Sequence, residues 1–279
     1  MDRIRKSAKR QKGFYLNKWF LDCVSDEGEA MIFYAAILKW RGWEVPYTSM
    51  LYYDQATGVT HRSRFHKIHL PEKNDRSLYW NDLRFGIAGK WEALASPIQA
   101  RIFESDEGYV DWNCFQPASN VHLKIKDRVI NGKGYAEQLV LTVEPWKLPM
   151  KELRWGRYGS QEDRMVWIEL KDEGKQQWLW YNGEKIENAN IGEDQITISA
   201  KGISLELDRS VVLESERKIQ QVVKNLIRYL PGFNSSMPLR FLMADEFKWF
   251  DHGIMRKEGE VVGKGWAIHE FVDFNRHSE

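Results

Sequence analysis

Cysteine is nearly missing from the 279 residues: only Cys23 and Cys114 are present, and neither sits in a Cys-x-x-Cys pair. A disulfide framework and a thiolate metal site are therefore not expected, and a reducing compartment is. Long apolar runs are missing as well, and nothing approaches the ~18 consecutive residues that a membrane-spanning helix needs. There is no Gly-rich phosphate loop, no Gly-x-Ser-x-Gly elbow and no His-Glu-x-x-His, so the common signatures of nucleotide, acyl-transfer and zinc-peptidase chemistry are excluded. Charge of one sign is lacking overall, with 41 Lys/Arg against 40 Asp/Glu.

That balance is uneven along the chain. Residues 1–12 hold six basic side chains and one acidic one, which leaves the remainder with 35 basic and 39 acidic groups. The folded body is mildly acidic and gives no support for nucleic-acid binding. The basic start lacks the apolar stretch of a signal peptide, so export by that route is not expected and a cytoplasmic protein is. Residues 1–14 read as a solvated tail, with weak contact to an anionic membrane surface as its sharper role. Three histidines cluster at His61, His66 and His69 among three Lys/Arg. Their spacing and that positive surrounding argue against a metal, and no cofactor is expected.

What is present is repetition. Gly132-Lys133-Gly134-Tyr135-Ala136-Glu137 returns 131 residues later as Gly263-Lys264-Gly265-Trp266-Ala267-Ile268-His269-Glu270. Ser25-Asp26-Glu27-Gly28 has its echo at Ser160-Gln161-Glu162-Asp163, and Trp19 has one at Trp155. Offsets that agree within a few residues mark two domain-sized copies, far longer than a solenoid unit of ~20 to 50 residues. Short runs of alternating apolar and polar residues fill both copies, as in Val121, Leu123 and Ile125 or Ile203, Leu205 and Leu207, which predicts strands. Turn dipeptides such as Asn131-Gly132, Asn182-Gly183 and Glu258-Gly259 stand between runs. Many short strands with close turns indicate sandwiches or barrels. One amphipathic helix is predicted over 215–230, with Ser215 as cap and Pro231-Gly232 as stop. The two copies divide at Glu144–Met150, where Pro145 and Pro149 interrupt strand pairing, giving domains 15–145 and 146–279.

The 37 aromatic residues include thirteen tryptophans. Core packing explains them first, but Trp43, Trp155, Tyr158 and Trp180, each near polar residues, also suit a cavity for a large apolar ligand whose developing charge their π faces could stabilise. Glu137 and Tyr135 share a strand face. A carboxylic acid kept neutral by an apolar interior could protonate an alkene or epoxide, with Tyr135 donating beside it and Arg157 setting its charge. A solvated strand-end Glu137, or a Glu137 that serves as an internal partner for Arg157, is the competing reading. In the second copy Trp266, His269 and Glu270 hold the related positions, and Asp22 is a carboxylate out of place in an apolar strand.

These residues also carry a resemblance. Trp19-Phe20-Leu21-Asp22 with Ser25-Asp26-Glu27-Gly28, the segment Gly132–Glu137, and Leu153-Arg154-Trp155-Gly156-Arg157 together resemble the family of carotenoid 1,2-hydratases (hydroxyneurosporene synthases) and AttH-like proteins. The resemblance implies a mainly β chain of two tandem lipocalin-like antiparallel β-barrels. It also implies an isoprenoid-like or polyketide-like ligand held within or between them, and cofactor-independent hydratase, isomerase or cyclase chemistry. Gln138 follows Glu137 where the hydratases carry His, so the fold carries over more directly than carotenoid hydration. The alternative on the same barrels is a binding or carrier protein without chemistry.

Overall fold

The structure, a computed structural model, describes residues 13–215, 230, 232 and 237–275. The basic segment 1–12 and nearly all of the helix predicted over 215–230 lie outside the described residues; Ser215 closes a strand, and Leu230 is buried.

Among the described residues, twenty strands form two ten-stranded antiparallel sheets, each curled as a lipocalin-like barrel. The first contains β1 (Phe14–Ser25), β2 (Ala30–Trp40), β3 (Trp43–Asp54), β4 (Gly58–Arg64), β5 (Glu72–Asn74), β6 (Ser77–Asp82), β7 (Ile87–Ala93), β8 (Ile98–Ser105), β9 (Gly108–Ile125) and β10 (Arg128–Leu141). The second contains β11 (Glu152–Gly159), β12 (Arg164–Lys171), β13 (Lys175–Tyr181), β14 (Glu184–Ile186), β15 (Asn190–Ile191), β16 (Gln195–Ile198), β17 (Ile203–Leu207), β18 (Val211–Ser215), β19 (Asp245–Lys257) and β20 (Glu260–Asp273). The pairing order 4-3-2-1-10-9-7-6-5, with β8 on β9, repeats in the second sheet with ten added to every number. A 3₁₀ turn, Pro145–Lys147, lies between the sheets. Among the described residues no helix is long and apolar enough to cross a membrane.

Turn chemistry behaves as expected at Asn182-Gly183 and Glu258-Gly259, where both residues of each pair have positive φ, the requirement of a tight hairpin. Asn131-Gly132 does not form a turn. It lies inside β10, paired with His122 and Val121 of β9. Gly132 is there for close approach: a Cβ on it would come 2.1 Å from the Val24 carbonyl oxygen. Gly265 has the same surroundings, a Cβ falling 2.1 Å from the Gly159 carbonyl oxygen. The structural partner of Gly132 is thus Gly265, not Gly263, and the glycine echo in the sequence is out of register by two residues. Strand registers agree: Asp22 faces Tyr135 and Phe20 faces Glu137, while Arg157 faces Ile268 and Trp155 faces Glu270. Asp22 and Arg157 are therefore equivalent positions, as are Phe20 and Trp155, Tyr135 and Ile268, Glu137 and Glu270.

Alternation along β1 sends Trp19, Leu21 and Cys23 into the first barrel, where they pack with Phe33, Trp80 and Trp91. The same periodicity sends Phe20 and Val24 outward, away from that interior. A matching interior in the second barrel is filled by Tyr158, Met165, Trp167, Leu179, Leu205 and Met255. The outward residues are buried nonetheless, because the two barrels pack against each other. One apolar cluster takes Phe20, Tyr34, Trp112 and Tyr135 from the first and Trp155, Ile168, Trp180 and Phe250 from the second.

Candidate functional site in the seam between the barrels

Glu137 is placed by the outward face of β10 in this seam, at the middle of a strand and not at a strand end after a turn. Its Oε2 receives three hydrogen bonds: from Tyr135 OH at 2.5 Å, from Trp155 Nε1 at 3.1 Å and from Trp112 Nε1. Two barrels thus supply donors to one oxygen. Burial pushes the Glu137 carboxyl above the ordinary range, against the pull of those three donors. Burial likewise drives Tyr135 well above its usual value, so it remains a donor.

A cavity of about 260 Å³ opens beside Glu137. Its walls are mostly apolar, including Phe20, Trp112, Trp155, Leu139, Leu153 and Ile168, and its polar groups are Lys18, Tyr34, Glu137, Glu246 and Glu270. Apolar walls with a few convergent polar groups are the ordinary build of a small-molecule site.

Arg157 does not set the charge of Glu137. It forms a buried two-pronged pair with Asp22, Nε to Oδ2 at 2.9 Å and Nη2 to Oδ1 at 2.6 Å, joining the equivalent strands of the two barrels. Burial pushes Asp22 up to about 6, even with the Arg157 guanidinium against it.

The other expected site residues are dispersed. Trp155 lines the cavity, and Trp180 packs behind it, its ring 5.3 Å from that of Trp112. Trp43 is no cavity wall: it stands at the β2–β3 turn, 55% exposed. Tyr158 fills the second barrel's interior, and Trp266 stacks on Phe250 with ring centroids 4.7 Å apart. Both also border a separate polar cleft at the seam, with Ser25, Arg164 and Lys264. His269 is turned away from the cavity, bonded to Asp251 and stacked on Trp249. Glu270 does reach the cavity, held at 2.9 Å by Lys248 Nζ.

Sequence reasoning missed Trp112, Tyr34, Glu246 and Lys248. Lys248 left a signal, a lone lysine in Phe247-Lys248-Trp249-Phe250, since an ammonium is not buried without partners. Trp112 left none, as tryptophan on an alternating strand is ordinary core.

Neither a family model nor a curated protein matches the chain. Solved structures do, at low identity. A protein of Nitrosomonas europaea described as an AttH aligns over 92% of each chain with a TM-score of 0.52 and 8% identity. Kievitone hydratase from Nectria haematococca aligns over 94% of this chain and 89% of its own, with a TM-score of 0.52 and 10% identity. CghA, in a structure with Sch210972, aligns over 93% and 88%, with a TM-score of 0.54 and 10% identity. The tandem-barrel fold is shared by all three.

Proposed function

We propose that this chain is an AttH-like, cofactor-independent acid catalyst that acts on an apolar, isoprenoid-like or polyketide-like small molecule in the inter-barrel cavity. The observation that carries the reading is the convergence of Tyr135, Trp112 and Trp155 on a single oxygen of Glu137. With Oε2 occupied by three donors, the acid proton belongs on Oε1, which receives no hydrogen bond among the described residues. The π pair of a substrate alkene forms a C–H bond with that proton, and the O–H electrons stay on a carboxylate already held by three donors. The positive carbon left behind is flanked by Phe20, Trp112 and Trp155; it then adds water, gives up a neighbouring proton, or is attacked by a second double bond, and in each case the proton finally released returns to the Glu137 carboxylate. Hydratase, isomerase and cyclase outcomes share this first step. Likeness of fold to kievitone hydratase and CghA supports the reading.

The test is product analysis by mass spectrometry on lipophilic compounds that copurify from the native host. Glu137→Gln is expected to keep the fold and slow turnover by about 10² to 10⁴-fold, the usual worth of a positioned acid. Unchanged turnover removes Glu137 from the mechanism. Retention of a ligand without any product by the unaltered chain makes the protein a carrier.

A further inference from the structure

At the wall of the cavity supplied by β19 and β20, one ammonium is surrounded by more carboxyl groups than it can satisfy. Lys248 is 1% exposed. Its Nζ donates to Tyr34 OH at 2.8 Å and Glu214 Oε2 at 3.0 Å, and lies 2.9 Å from Glu270 Oε2. An ammonium has three N–H groups to offer, and these are its three nearest oxygen partners. Glu246 lies 3.7 Å from the same nitrogen, beyond hydrogen-bond range, and has no hydrogen-bond partner among the described residues. It is 9% exposed and lines the cavity. Burial, with Glu270 and Glu214 nearby, pushes its carboxyl up to about 7 against the opposing pull of Lys248 and Lys18.

Among the described residues, the charged groups that line the cavity besides Glu137 are Lys18, Glu246 and Glu270, and Glu270 is paired with Lys248. Glu246 is the carboxylate of this wall that has no hydrogen bond among the described residues.

We propose that Glu246 is the counter-ion of the cavity, whose ligand is an apolar skeleton carrying a positive centre. This rests on the acid-catalyst reading, because protonation by Glu137 creates such a centre on the ligand. The proton leaves Glu137 as the carbon gains one positive charge, so the total charge of the cavity and its contents does not change. Glu246 then faces a cation between mostly apolar walls, where such a pair is stronger than in water. Both ammonium groups lie near the Tyr34 ring, Lys18 Nζ 4.8 Å from its centroid and Lys248 Nζ 5.4 Å. Lys248 holds Glu214 and Glu270 and leaves Glu246 to the ligand.

The experiment uses octyltrimethylammonium, a stable mimic of the cation, and octan-1-ol, its neutral counterpart. Their binding to the full chain is followed by tryptophan fluorescence and calorimetry at pH 6 and pH 8.5. The cation is expected to bind about tenfold tighter at the higher pH, and the alcohol equally at both, as one titrating counter-ion demands. Glu246→Gln is expected to flatten the response to the cation, and Glu246→Asp to keep it. An identical pH response for cation and alcohol overturns the proposal and leaves the cavity reading standing. So does a pH response that survives in a folded Glu246→Gln chain. If neither probe binds, the cavity reading falls too. The comparison of cation with alcohol on the unaltered chain decides the matter even if the variants do not fold.

Discussion

Asp22 has a fully buried carboxyl with a guanidinium on both of its oxygens. Its folded value of about 6 lies above the ordinary 3.8, so the folded chain holds a proton there more tightly than the unfolded chain does. The sign follows: this group's contribution to stability is fully present below pH 4 and is lost as pH rises through about 6, by about 3 kcal/mol in all. Urea unfolding of Asp22→Asn should lack that slope, so the stability difference between wild type and variant should shrink in favour of the variant from pH 4 to pH 7. A difference that stays constant across this range would mean that Asp22 does not titrate there. Arg157→Met tests the other partner. It leaves the Asp22 carboxyl buried without its cation and should cost about 3 to 5 kcal/mol at pH 7.

At the scale of the strand, β10 and β20 each cross their neighbour at a glycine so closely that no side chain fits. Gly265→Ala puts a methyl group against the Gly159 carbonyl, with Ser160 Cα also within reach. A loss of about 2 to 3 kcal/mol in denaturant unfolding is expected, since neither contact is a flexible side-chain end that could move away. Gly263→Ala should be far milder, because its nearest contacts lie at 3.3 Å and are polar side-chain atoms. Equal losses at the two sites would return the echo to the register in which the sequence first presents it. The sequence shows which strands exist, because alternation survives in Val121-Leu123-Ile125 and Ile203-Leu205-Leu207. It misplaces Asn131-Gly132 because a glycine kept for close approach and a glycine kept for a turn are spelled alike. The site was legible to the same degree. Glu137, Tyr135, Trp155 and Asp22 stand out because a buried carboxylate among apolar neighbours is costly and local. Trp112 and Tyr34 are ordinary alternating-strand aromatics that reach the cavity through the pairing of β9 with β10 and of β2 with β1, while Glu246 comes from the second barrel and only the packing of one barrel on the other brings it there.

The whole molecule depends on that packing. Each barrel has its own interior, yet Phe20, Tyr34, Trp112 and Tyr135 of the first share one further cluster with Trp155, Trp180 and Phe250 of the second. A chain cut to residues 13–145 is expected to expose this face, bind a hydrophobic dye and self-associate, even though its own interior is complete. In the full chain Trp155→Ala should cost about 3 to 5 kcal/mol, lower the unfolding midpoint of both halves together, and weaken binding of apolar probes. Calorimetry would check it, and two separate transitions in the unaltered chain would contradict the shared core. The cavity lies in this same seam, so loosening the contact between barrels and opening the site are one event.

Asp22 and Arg157 are the same position in the two copies, and they meet across the seam. Had two identical single-barrel chains once met in this way, the position would have faced itself, carboxylate to carboxylate or guanidinium to guanidinium, within 3 Å and out of water. A position that faced itself would have to share a proton or bear a cost of several kcal/mol per unpaired charge. Opposite charges at one equivalent position are open only to two copies that differ there, so the pair holds each barrel to the other copy and not to its own kind.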